Sequence, residues 1–126
     1  MDPYEIVTSR GAVLATRARL ASSLRERLRG LLGTPALLAG EALHIEPCNS
    51  IHTFFMAYPI DVLFLDREGL VVRAIHSLRP WRATLPCLRA RSVLELPAGT
   101  LLATGAGEGD RLRFRGTSSV GLAPDA

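Results

Sequence analysis

Between positions 48 and 64 a thiol, an imidazole and a carboxylate stand among aliphatic and aromatic side chains: Cys48, His52 and Asp61 in the stretch CNSIHTFFMAYPIDVLF. Three chemistries fit those residue types. A thiolate at Cys48, a base at His52 and an orienting carboxylate at Asp61 would meet the needs of a Cys/His-dependent enzyme, since the thiolate is the form that attacks. His44, Cys48 and His52 are each four residues apart, the spacing that stacks zinc ligands on one face of a helix, with Asp61 or Glu46 available as a further ligand. The third chemistry is binding: Phe54, Phe55, Met56, Tyr58 and Trp81 could line an apolar groove in which His52 and Asp61 are the few polar anchors. Each has a plainer counterpart. Cys48 can be a small buried hydrophobe, His44 a half-exposed strand residue, His52 a donor to a backbone carbonyl or to Asp61, and Phe55 and Met56 ordinary core.

The elements that position these residues decide among them. β-Branched and aromatic residues dominate 51–56 and 60–66, and Pro59 interrupts the two runs, so the stretch reads as two strands with His52 and Asp61 on rigid sheet. A strand, loop and strand strip the four-residue spacing of its meaning as a metal motif. No oxyanion-hole motif or nucleophile elbow accompanies Cys48, which falls on a loop at 47–50. An ionised carboxylate buried on a strand needs a partner, and His52 is the nearest in sequence to Asp61.

Around this centre the pattern is mostly β. Strands are expected at 4–7 and 12–16 about a Ser9-Arg10-Gly11 connection, at 42–46, at 70–75 after an Asp66–Gly69 turn, at 92–96 and at 111–114. A helix is expected from Ser22 or Ser23, where Leu24, Leu28, Leu31 and Leu32 fall at helical spacing, Ser23 and Glu26 form a capping box and Gly33 ends it. Residues 77–88, with Pro80, Trp81 and Pro86, read as an irregular loop over one end of the sheet, and a small helical turn follows 97–99. Gly109-Asp110 launches the last strand, Gly through positive φ and Asp through an Asx-type bond. These expectations make a mainly β fold, a small β-sandwich or open barrel with one short α-helix packed against it.

At 126 residues and 48% hydrophobic content the chain fits one domain over 1–115 with a flexible tail at 116–126. No apolar run approaches the ~20 residues of a membrane-spanning helix, and the acidic start Met-Asp-Pro-Tyr-Glu is unlike a secretory signal, which points to the cytoplasm. The net charge of +3 and pI of about 9.5 come from fifteen basic residues, all Arg. Apart from Arg25, Arg27 and Arg29 and the trio at Arg111, Arg113 and Arg115 they are dispersed, with no aromatic platform, so they read as a solvated face and not as a nucleic-acid site. Cys48 and Cys87 form neither a disulfide framework nor a C-x-x-C pair and read as free thiols in a reducing compartment.

Three blocks carry a family resemblance: Arg27-Leu28-Arg29-Gly30-Leu31-Leu32-Gly33; His52 to Met56 followed by Pro59-Ile60-Asp61-Val62-Leu63-Phe64; and Leu94-Glu95-Leu96-Pro97-Ala98-Gly99 ahead of Gly109-Asp110. In that order, over residues 5–115, they resemble the domain of unknown function DUF192, also termed UPF0127. The resemblance implies a small, mostly β domain with a short helix, found alone in bacteria and archaea and sometimes behind a signal peptide or lipoprotein leader, with no assigned activity. Here Cys48-Asn-Ser-Ile-His52 stands where many members have Trp or another residue before the Met. The combined reading is a ligand- or protein-binding accessory module with no cofactor, its site formed by Cys48, His52, Met56, Asp61 and Trp81. Zinc binding or a Cys48/His52/Asp61 enzyme is the alternative.

Overall fold

β-Branched and leucine-rich runs separated by Gly, Pro and Asp turns become seven strands in the computed structural model, which describes residues 3–21, 37–54 and 56–116. They are β1 (Tyr4–Thr8), β2 (Val13–Ala21), β3 (Glu41–Ile45), β4 (Ile60–Leu65), β5 (Val71–Leu78), β6 (Ser92–Pro97) and β7 (Leu112–Gly116), with one short helix among the described residues, α1 (Thr100–Thr104). The strands form a single sheet in the order β5-β4-β6-β3-β2-β1-β7. Only β2 and β3 run parallel; the other neighbours are antiparallel.

The sheet curls until its two ends meet. Leu70 bridges Arg111, the Val71 N–H donates to the Asp110 carbonyl at 2.8 Å, and the Leu112 N–H donates to the Gly69 carbonyl at 2.9 Å. Gly69 makes this closure possible. Its φ is 83°, and a Cβ there would lie 2.9 Å from the Leu112 carbonyl oxygen. The mainly β class and the open-barrel form expected from the sequence are therefore observed, and α1 is the small helical turn expected after 97–99.

Both faces of the sheet are covered, which is why β4, IDVLFL, is buried at every position. On the concave side Ile6, Leu14, Leu63, Leu65, Leu94, Leu96 and Leu112 pack together, and Leu101 of α1 enters the same cluster. On the outer side Leu43, Ile45, Ile60, Val62, Phe64 and Val93 pack beneath Ile51 and Met56. That layer comes from two connections, 46–59 and 79–91, which are zipped to each other. Backbone bonds run from Cys48 N–H to the Arg91 carbonyl, from Cys87 N–H to Asn49, from Thr84 N–H to Ile51 and from Thr53 N–H to Arg82, at 2.8–3.0 Å.

Several expected elements take different forms. Residues 51–54 and Met56 are not strand: His52 makes one isolated bridge to Ala83, while Ile51 and Met56 pack on the outer face of the sheet. β2 runs to Ala21, beyond the expected end at residue 16, because Arg17 to Ala21 pair in parallel with Glu41 to Ile45. The helix read at 22–33 and the tail beyond Gly116 lie outside the described residues. No helix among the described residues is long and apolar enough to cross a membrane.

Candidate functional site

Asp61 is fully buried on β4 and its partners are backbone donors. Its Oδ1 accepts the Ser77 N–H at 2.8 Å; its Oδ2 accepts the Gly99 N–H at 3.1 Å and the Leu101 N–H at 2.8 Å. The carboxylate thus closes the start of α1 and the end of β5 with one group. These are the compensating bonds that a buried carboxylate requires, supplied by main chain where the sequence pointed to His52. Asp61 shares a face of β4 with Leu63 and Leu65, which belong to the concave core, whereas His52 lies in the connection that crosses the outer face.

His52 and Trp81 are brought together through Phe54. The His52 and Phe54 rings stack with centroids 4.8 Å apart, and Phe54 and Trp81 are 5.9 Å apart. The His52 Nδ1 accepts the Phe54 N–H at 3.3 Å. Phe54 is 38% and Trp81 55% exposed, so the strip faces solvent. Beneath it Thr53 is fully buried and acts as a pin. Its hydroxyl donates to the Arg79 carbonyl at 2.6 Å and accepts the Arg82 N–H at 2.9 Å, while its carbonyl accepts the Trp81 N–H at 3.0 Å. Held in this way, Trp81 adopts φ of 63°, a left-handed conformation that a bulky residue rarely takes unaided.

The rest of 79–91 extends the face. Leu85 and Leu88 are 77% and 89% exposed, and Arg79, Arg82, Arg89 and Arg91 share the segment with no acidic residue. Cys48 and Met56 belong to the layer underneath: Met56 is buried in the outer core and Cys48 packs against it, with its Sγ donating to the Ser50 carbonyl at 3.0 Å. Both cysteines are free thiols. The five expected site residues therefore occupy three places: His52 and Trp81 in the strip, Cys48 and Met56 below it, and Asp61 on the opposite face of the sheet. Among the described residues no group of three His, Cys, Asp or Glu side chains is placed to hold a metal ion.

His44, expected half-exposed, is buried on β3 at 6% exposure. Its Nδ1 is 3.0 Å from the Tyr4 hydroxyl, the Phe114 ring meets it edge-on at 4.6 Å, and burial pushes its pKa down to about 4. Asp110 also does more than launch β7. In place of the expected Asx-type bond into the strand, it accepts the N–H of Gly107, three residues earlier, at 2.9 Å, and it takes Arg10 Nε and Nη2 at 2.8 and 2.9 Å, which holds its carboxyl below the usual range. Thr53, Tyr4 and Phe114 escaped the sequence reading because their partners lie far along the chain.

The model of one family, DUF192 (Uncharacterized ACR, COG1430), matches residues 5–114. The chain belongs to this family. Among its DUF192 relatives, a UPF0127 protein of Thermococcus sibiricus is 35% identical over 108 residues, covering 82% of this chain and 70% of the relative. A UPF0127 protein of Pyrococcus horikoshii is 36% identical over 99 residues, covering 76% and 85%. Two crystal structures share the fold. One is a Sinorhizobium meliloti 1021 protein provisionally described as a transcription regulator, with a TM-score of 0.75, 21% identity and 90% and 92% of the two chains covered. The other is a protein of unknown function from Novosphingobium aromaticivorans, with a TM-score of 0.72, 23% identity and 88% and 83% covered. At these identities the likeness speaks for the DUF192 fold alone.

Proposed function

We propose that this DUF192 chain is a cytoplasmic binding module whose working face is the His52, Phe54 and Trp81 strip, and that its partner is a protein offering an apolar anchor beside acidic groups. The observation that carries this reading is Trp81 itself, held at φ of 63° with more than half of its surface open to solvent. A non-Gly residue in such a conformation costs about 1–3 kcal/mol, and here the Thr53 carbonyl holds the backbone while the ring is left 55% exposed. A partner that covers the ring returns it, and exposed aromatics next to arginine are the residues that dominate binding interfaces. The charge of Arg79 and Arg82, the arginines that flank Trp81 in the sequence, selects for acid on the other side.

The remaining expected site residues support the strip from behind. Cys48 and Met56 supply the packed layer on which it rests. Asp61 binds Ser77, near the end of the strand that leads into 79–81, and so anchors the root of the Trp81 loop. Free thiols at Cys48 and Cys87 fit a reducing compartment.

Trp81 is the chain's one tryptophan, so its fluorescence reports on this face directly. The test is a titration with a synthetic peptide alternating glutamate and leucine, alongside an oligothymidine of similar charge. The peptide should shift Trp81 emission to saturation, with affinity falling as salt rises. Saturation by the oligothymidine and not by the peptide would overturn the protein assignment and make the face a nucleic-acid platform.

A further inference from the structure

His44 lies where two clefts meet. One, of about 340 Å³, is lined by Tyr4, His44, Glu46, Phe114 and Arg115 among others. The second, of about 320 Å³, continues past Glu46 and Phe114 to Ser92 and the turn at 66–69. Two buried polar atoms in this region have no hydrogen-bond partner, His44 Nε2 and Arg115 Nε. Such atoms are uncommon in folded chains because each has lost water and gained nothing in return. Here both belong to residues that line the same cleft.

Arg115 Nε is a donor, and His44 Nε2 is one when Nδ1 is the acceptor of its pair with Tyr4. Burial and the nearby Glu46 carboxylate raise the pKa of Tyr4 and keep its hydroxyl protonated. Among the described residues that hydroxyl has one hydrogen-bond partner, His44 Nδ1 at 3.0 Å. A phenol donating to Nδ1 places the proton of a neutral imidazole on Nε2, and burial keeps this ring neutral. Arg115 engages Glu5 through Nη2 at 3.1 Å, which leaves its Nε–H without an acceptor.

We infer that the cleft binds a small planar heterocycle carrying adjacent carbonyl and ring N–H groups, as in a cyclic imide. The carbonyl oxygen accepts from His44 Nε2 and Arg115 Nε, the ring N–H donates to the Glu46 carboxylate, and the flat face packs on Phe114. Glu46 in the lining, whose Oε2 lies 3.8 Å from Arg91 Nε, disfavours carboxylates and phosphates, which would otherwise suit two N–H donors. Neither donor is open to solvent, so the ligand enters by turning Phe114 aside. That ring stands on β7, is 36% exposed and stacks on Tyr4 at 5.8 Å, the contact that entry exchanges for the ligand. The site is separate from the Trp81 strip, since His44 shares the face of β3 that carries Ala42 into the concave core.

The test is nitrogen-15 NMR of the full chain titrated with three probes: uracil, benzoate and inorganic phosphate. The free protein should show His44 protonated on Nε2. Uracil should then shift the His44 Nε2–H and Arg115 Nε–H signals to saturation. Arg115→Lys keeps the charge, removes the Nε–H and leaves the core untouched; it should weaken uracil binding about tenfold or more. An Nδ1-protonated His44, saturation by benzoate or phosphate in place of uracil, no saturable shift with any probe, or uracil binding unchanged in Arg115→Lys would each overturn the inference.

Discussion

Replacing Asp61 tests whether one buried carboxylate organises this fold. Asp61→Ala leaves the N–H groups of Ser77, Gly99 and Leu101 without their acceptor, and an unsatisfied buried donor costs about 1–3 kcal/mol. The variant also no longer buries a charge, which offsets several kcal/mol of that sum. The net loss is expected at about 2–4 kcal/mol, within the range of a broken buried network. Asp61→Asn keeps the shape and one acceptor oxygen. Turned to hold Gly99 and Leu101, its amide NH₂ faces the Ser77 N–H, so it loses one charge-assisted bond, about 1.5–3 kcal/mol. For a chain of this size either loss lowers Tm by about 10 °C. The assay is urea unfolding followed by circular dichroism, with amide hydrogen exchange to place the damage. Ser77, Gly99 and Leu101 should lose protection first, while Ile6 and Leu94 keep theirs. A change below about 0.5 kcal/mol with an unaltered m value would refute the reasoning, because it would mean that these three donors are equally well satisfied without the carboxylate.

Acid should destabilise the chain through His44. Its folded pKa of about 4 lies below the ordinary 6.5, so above pH 6.5 both states are neutral; as pH falls from 6.5 toward 4 the unfolded chain takes up a proton that the folded chain refuses. The loss approaches about 3 kcal/mol. Urea titrations of the wild type and of His44→Gln at pH 7 and pH 4.5 check this, and an equal acid loss in both proteins would contradict it. Thr53→Val removes the hydroxyl bonds to Arg79 and Arg82 and should cost about 1–3 kcal/mol. Its distinguishing sign is a rise in the mobility of Trp81, read by fluorescence anisotropy; unchanged anisotropy would remove Thr53 as the pin. Gly69→Ala places a Cβ against the Leu112 carbonyl at positive φ and should lower stability by about 1–3 kcal/mol, with faster exchange at Leu112. A neutral Gly69→Ala would mean that the barrel closure tolerates a wider gap.

The parts of the fold that could be read in the sequence are those whose signals are local. β4 declares itself because an apolar run sits between Pro59 and Asp66, and the hairpin that follows depends on Asp66 Oδ1 accepting Glu68 and Leu70 N–H groups, which residue types reveal. Residues 51–56 misled because Ile51, Thr53 and Phe54 are good strand formers, yet here the Thr53 hydroxyl is spent on a turn 26 residues away. The extension of β2 was hidden in Ala18 and Ala21, small residues with little strand preference that pack tightly under neighbours. That Asp61 needs a partner followed from its surroundings; the partner's identity did not, since backbone N–H groups leave no mark in a sequence. His44 and Tyr4 lie 40 residues apart, and only the barrel brings them together. The candidate strip was half visible. His52 and Trp81 were singled out by type, but the long-range contact through Phe54 emerged only from the pairing of the two outer connections.

The central claim is that the Trp81 face receives a protein partner, and site-specific photo-crosslinking in the cell of origin tests it most directly. A photoreactive residue at position 81 is compared with one at position 102, where Leu102 is 81% exposed on α1 and the sequence from 97 to 109 holds no basic residue. The account predicts a discrete protein adduct from position 81, lost when Arg79 and Arg82 are both changed to Ser, and none from position 102. Equal adducts from both positions, or adducts at 81 that ignore the two arginines, would contradict it.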